Sequence, residues 1–150
     1  MKRIILTAKA ILILVLVFFV QGFSSRAGGD YYKVLLNNKL LTEQFLYKPI
    51  SLKTVSLTAS NNNDQLTIFY SHCGTAGSGR SISLKTSSGK LLGKWDFADS
   101  KQIELQLPVK DLLKAFTKNS SGCLYYASIE IPGGKPLITV EFSNKVVASL

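Results

Sequence analysis

From Tyr31 onward, apolar and polar positions alternate with a period of two, in runs of six to nine residues separated by Asn, Pro, Gly and Ser clusters. That pattern predicts short β-strands joined by turns. The runs are Tyr31 to Leu36, Lys39 to Tyr47, Ser51 to Thr58, Leu66 to Cys73, Ser81 to Thr86, Lys90 to Phe97, Gln102 to Leu107, Cys123 to Ile131 and Leu137 to Phe142. Asn37-Asn38 predicts a hairpin turn, because Asn tolerates positive φ. Ala59 to Gln65 reads as a polar loop, Ser87-Ser88-Gly89 as a hairpin turn, and Pro132-Gly133-Gly134 as the turn before the strand Leu137 to Phe142. The tail from Ser143 to Leu150 is a candidate edge strand.

One segment breaks the period. Val109, Leu112, Leu113 and Phe116 recur at helical spacing just after Pro108, which predicts a short helix over 109–117. On the strands, Leu66, Ile68 and Tyr70 share one face, and Leu91, Gly93, Trp95 and Phe97 share another. Ile103, Leu105, Leu107, Leu112, Leu113 and Trp95 are the expected core. Eight or nine short strands, with no internal repeat and no linker, predict a single all-β domain over 28–150: an antiparallel β-sandwich with one short helix.

The start of the chain follows a different rule. Lys2, Arg3 and Lys9 form a positive region, and Ala10 to Val20 is an unbroken apolar run of 11 residues. A bilayer span needs roughly 20, so the run reads as a signal peptide over 1–22, with cleavage after Gly22 or Ala27. An uncleaved anchor is the competing reading, and Lys9 argues against it. No Cys lies near the cleavage region, which disfavours a lipid-modified lipoprotein. The expected location is secreted, periplasmic or on the cell envelope, with no membrane span after cleavage.

Composition changes this picture little. Removing Lys2, Arg3 and Lys9 leaves 15 Lys/Arg against 9 Asp/Glu, a net +6. The lysines are scattered rather than striped, so a solvated surface explains them, with an anionic glycan or an envelope protein as candidate partner. Export disfavours nucleic acid.

The chemistry is mostly negative. His72 is the single histidine, and the chain has two cysteines, Cys73 and Cys123. Adjacent residues of an extended strand point to opposite faces, which separates Cys73 from His72 and disfavours a nucleophile pair. One His and two Cys do not make a metal site. A Ser-His-Asp triad would have to use His72, and no G-x-S-x-G elbow is present. Gly74 to Ser81 copies P-loop spacing with Arg80 in place of Lys, but a strand pattern follows where the mechanism needs a helix. No catalytic, cofactor or metal residue is assigned. Asn119-Ser120-Ser121 is a formal glycosylation sequon. Tyr31, Tyr32, Tyr70, Trp95, Tyr125 and Tyr126 are read chiefly as packing, with a sugar-stacking platform as the alternative.

Residues 103–142 run from an alternating strand through Pro108 and a short apolar helix to Gly122, Tyr125 and Tyr126, then a turn and a strand. This resembles the last three strands of an immunoglobulin-like or fibronectin-type sandwich, in which a tyrosine of the penultimate strand ties back to the preceding corner. The resemblance implies that role for Tyr125 or Tyr126. It also implies that the strands ending at Cys73 and starting at Cys123 are antiparallel neighbours, which would allow a Cys73–Cys123 disulfide in an oxidising compartment. The chain as a whole is similar in style to small secreted Bacteroidota proteins of unknown function. The resulting expectation is a non-enzymatic binding or structural module, with the loop around Arg80 as a candidate ligand loop. An inhibitor or accessory of another envelope protein is the alternative, and a small hydrolase comes third.

Overall fold

The computed structural model describes residues 29–116 and 120–143. The signal-peptide reading, Asn119 of the sequon and the tail beyond Ser143 lie outside the described residues.

Among the described residues, nine strands form two sheets. β1 (Tyr31–Leu36), β2 (Lys39–Phe45), β4 (Gln65–Ser71) and β7 (Glu104–Pro108) make a four-stranded sheet in the order β2-β1-β4-β7. The other sheet has five strands, in the order β3-β9-β8-β5-β6. Its members are β3 (Lys53–Leu57), β5 (Ser81–Lys85), β6 (Leu91–Asp96), β8 (Ser121–Ser128) and β9 (Ile131–Phe142). All ladders are antiparallel except one: β3 runs parallel to β9, with Lys53 opposite Ile138. The purely antiparallel expectation is corrected at that edge. Parallel neighbours need a crossover connection, and here the whole chain between β3 and β9 supplies it.

The sheets face one another across one apolar core. From the first sheet come Tyr32, Val34, Leu66, Ile68, Tyr70, Leu105 and Leu107, all buried; from the second, Leu57, Ile82, Leu84, Leu124, Tyr126, Ile138 and Val140. The Tyr32 hydroxyl donates to the Leu137 carbonyl at 2.9 Å and so joins the two layers. Leu66, Ile68 and Tyr70 share the inner face of β4, as their spacing predicted.

Turn chemistry explains the first hairpin. Asn37 and Asn38 have φ of 48° and 66°, the left-handed pair that a two-residue hairpin turn demands. The Asn37 side chain accepts from the Gln65 N–H at 2.9 Å and donates to Asp64 at 2.8 Å, fixing the turn to the start of β4. The polar loop after β3 holds a short 3-10 turn, Ala59–Asn63. Helix α1 (Val109–Ala115) starts after Pro108 and buries Val109 and Leu112. Leu113, Ile103 and Trp95, three of the expected core residues, are only half-buried.

Two local readings are corrected. Leu91 is 52 % exposed rather than sharing a face with Trp95, because a bulge pairs Lys85 with Leu91 but Leu84 with Gly93. Skipping Leu92 reverses the facing of every residue beyond it. The last hairpin turns at Ile129-Glu130, not at Pro132-Gly133-Gly134. Those three residues are a bulge within β9, where Ser128 faces Ile131 and Tyr126 faces Lys135. Gly134, at φ 72°, accommodates it.

Candidate functional site

Strand β4 ends at Ser71, and His72–Thr75 form a tight turn closed by His72 N–H to Thr75 O at 2.9 Å and Thr75 N–H to His72 O at 3.0 Å. Its central residues, Cys73 and Gly74, have φ of 50° and 92°. This turn defeats the argument that separated Cys73 from His72, which assumed an extended strand. Both side chains converge on one carboxylate: His72 Nδ1 lies 3.3 Å from Asp30 Oδ2, and Cys73 Sγ lies 3.7 Å from Asp30 Oδ1.

The other imidazole nitrogen faces the core. His72 Nε2 lies 3.1 Å from the Tyr126 hydroxyl and 3.3 Å from Ser128 Oγ. Glu130 sits beside them and accepts from the Ser78 N–H at 3.1 and 3.2 Å. A hydrogen bond from the Ser128 hydroxyl, backbone donors and the nearby His72 hold the Glu130 carboxyl below its ordinary value. Asp30, His72 and Ser128 thus have the order acid, imidazole, hydroxyl that serves nucleophilic catalysis. The serine, however, is 4 % exposed, and its hydroxyl is also bonded to Tyr126 and Glu130. Gly77 covers the ring: a Cβ there would lie 2.7 Å from His72 Nε2 and 2.6 Å from the Tyr126 hydroxyl. Ser128 is thus withdrawn from solvent, and the Ser78–Glu130 bonds tie the 74–80 loop to the end of the sandwich. Among the described residues no cluster of three or more His, Cys, Asp or Glu could hold a metal.

Arg80 is 2 % exposed, not displayed on a ligand loop. Its guanidinium donates to the Gln102 carbonyl at 2.6 Å and the Ala98 carbonyl at 3.0 Å, pinning the β6–β7 connection against the start of β5. As expected, the Gly-rich loop leads into strand β5 rather than a helix.

Cys73 and Cys123 are free thiols, so the expected disulfide is corrected. Strands β4 and β8 are not neighbours in one sheet but face each other across the core, Tyr70 against Tyr126. Their C-terminal ends coincide, as His72 against Ser128 shows. Cys123 lies five residues before Ser128 on β8, on the order of 15 Å along a strand. The tyrosine tie to the corner also falls elsewhere. The Tyr126 hydroxyl meets His72, and that of Tyr125 interacts with the Cys123 thiol.

Of the six aromatic positions singled out in the sequence, Tyr32, Tyr70 and Tyr126 are core, and Trp95 and Tyr125 are half-buried. Burial pushes the Tyr70 hydroxyl well above its ordinary range, and the charge of Asp30 adds to the shift. Tyr31 belongs to a surface row that the sequence reading did not assemble. Its ring lies 5.8 Å from that of Phe45, directly across the β1–β2 ladder, and Phe45 lies 5.8 Å from Tyr47. Phe45 is 43 % exposed and Tyr47 69 %. Lys48 Nζ stands 5.5 Å from the Tyr47 ring centroid. The Gln44 side chain holds the following bend from both sides, donating to Ser51 O at 2.7 Å and accepting from Ser51 N–H at 3.2 Å.

Comparison with known proteins found no family model, curated protein or solved structure that matches the chain. No helix among the described residues is long and apolar enough to cross a membrane.

Proposed function

We propose that the chain is an exported, non-enzymatic binding module with an immunoglobulin-like strand order, and that it holds its ligand on the aromatic row of the β1–β2 hairpin. The strand order supports the topology. Taking β1, β4 and β7 as strands A, B and E, and β5, β6, β8 and β9 as C, C′, F and G, the sheet orders A-B-E and C′-C-F-G support this reading, although no described strand takes the place of D. The Tyr70–Tyr126 stack then joins B to F, where antibody domains place a disulfide. Export rests on the basic and apolar pattern of the first 20 residues.

The observation that carries the binding reading is the row itself. Three rings follow one another, Tyr31 across the ladder from Phe45 and Tyr47 just past the end of β2, two of them substantially exposed. The His72 cluster, by contrast, is closed over by Gly77. Exposed aromatic surface on a rigid frame marks an interaction site. Co-sedimentation of the purified domain with insoluble envelope polysaccharide from the producing cell tests it. Wild type should sediment and a Phe45→Ala/Tyr47→Ala double variant should stay in solution; equal sedimentation of the two would overturn the assignment.

A further inference from the structure

We infer that the aromatic row takes an acidic polysaccharide, a chain of pyranose rings bearing carboxylates. This rests on the reading of the row as the binding face. The shape of the row is the first support. Successive rings are 5.8 Å apart and tilted by 33° and 41°, so neighbouring rings are not stacked flat on one another and keep separate faces. A pyranose chain offers C–H-rich faces at regular intervals to such a surface. A lipid tail or an amphipathic helix needs a groove; one cleft of about 630 Å³ lies away from the row, between the Gly74–Ser78 loop and Asp99–Lys101.

Charge is the second support. Residues 29–53 carry Lys33, Lys39, Lys48 and Lys53 against Asp30 and Glu43. Asp30 is turned toward His72; Glu43 stands opposite Lys33 in the ladder, and the Lys33 ammonium lies 4.3 Å from the Phe69 ring centroid. Lys53 donates to the Leu41 carbonyl at 2.8 Å. Neither Lys39 nor Lys48 makes an ion pair among the described residues, and Lys48 is the one beside the last ring. A sugar stacked on Tyr47 would place a ring carboxylate within reach of that ammonium group. Rigidity is the third support. The double bond from Gln44 to Ser51 holds the bend after Tyr47, and Gly29 packs against the Tyr47 ring, where a Cβ would lie at 3.3 Å. Little ordering is then left to occur on binding.

Isothermal titration with an oligogalacturonate, a neutral cello-oligosaccharide of equal length and a sulfated dextran tests the inference, using wild type, Tyr47→Ala and Lys48→Gln. Thermal unfolding of each variant serves as the control on folding. The uronate should bind wild type at least about tenfold more tightly than the neutral chain, a difference of about 1.4 kcal/mol. Tyr47→Ala should weaken both by about tenfold, and Lys48→Gln should weaken the uronate alone. Equal affinity for neutral and acidic chains, lost in Tyr47→Ala, would overturn the acidic specificity and leave the binding face standing. Tighter binding of the sulfated dextran than of the uronate would also overturn it. Uronate binding that survives Tyr47→Ala, or no binding of any probe at millimolar concentration, would overturn both.

Discussion

Tyr70 on β4 and Tyr126 on β8 stack across the two sheets, with centroids 3.9 Å apart and planes within 8°. Their hydroxyls fare differently. That of Tyr126 meets His72 at 3.1 Å. The Tyr70 hydroxyl is buried with no hydrogen-bond partner among the described residues. An unsatisfied buried hydroxyl costs about 1–3 kcal/mol. Tyr70→Phe should therefore be neutral or stabilising, whereas Tyr126→Phe should destabilise by about 1 kcal/mol. Tyr70→Ala should cost about 3–5 kcal/mol through the cavity left between the sheets. Urea unfolding measures all three; a loss above about 1 kcal/mol for Tyr70→Phe would mean that its hydroxyl has a partner.

Gly77→Ala tests the cover over the histidine. The new methyl would meet the Tyr126 hydroxyl at 2.6 Å, His72 Nε2 at 2.7 Å and Glu130 at 2.9 Å. Something must move, at about 1–3 kcal/mol. A lower Tm together with faster exchange of the Ser78 amide is the expected result. An unchanged Tm would show that the loop does not rest on the cluster.

The Ser78–Glu130 contact should depend on pH. The folded carboxyl lies below its ordinary value of 4.5, so ionised Glu130 favours the folded state. That contribution is present above 4.5, fades as pH falls below it, and is lost once pH passes under the folded value. Ser78 amide protection should fall over the same range. Glu130→Gln should lower protection at neutral pH and remove the acid dependence; hydrogen exchange followed by NMR reports both.

Both thiols should titrate in the folded, unreduced protein. Cys73 is exposed at a turn, while Cys123 is half-buried and burial raises its pKa. Cys73 should react first with a thiol reagent and Cys123 more slowly. A mass lower by two hydrogens with no reaction would restore the disulfide.

Where neighbouring residues decide the structure, the sequence was readable. Asn37-Asn38 named its hairpin, the alternation of Leu66, Ile68 and Tyr70 named the inner face of β4, and Val109, Leu112 and Phe116 named the buried side of α1. What failed depended on distant partners. The bulge at Leu84/Lys85 shows no local signal, yet it reverses Leu91. A Pro-Gly-Gly triplet serves a turn or a bulge equally well, and the register of β8 against β9 chose the bulge. The His72 cluster draws on Asp30, Tyr126, Ser128 and Glu130, which only the topology brings together. Phe45 and Tyr47 were passed over because apolar residues lie on both faces of the 39–47 run, Leu40 and Leu41 among them. Nothing local says which face meets solvent.

Amide chemical-shift mapping during titration with the oligogalacturonate tests the binding face most directly. The perturbed amides should cluster at Tyr31, Phe45, Tyr47 and Lys48, leaving His72 and the 74–80 loop unmoved. Shifts centred on the loop, with the β1–β2 hairpin silent, would contradict it.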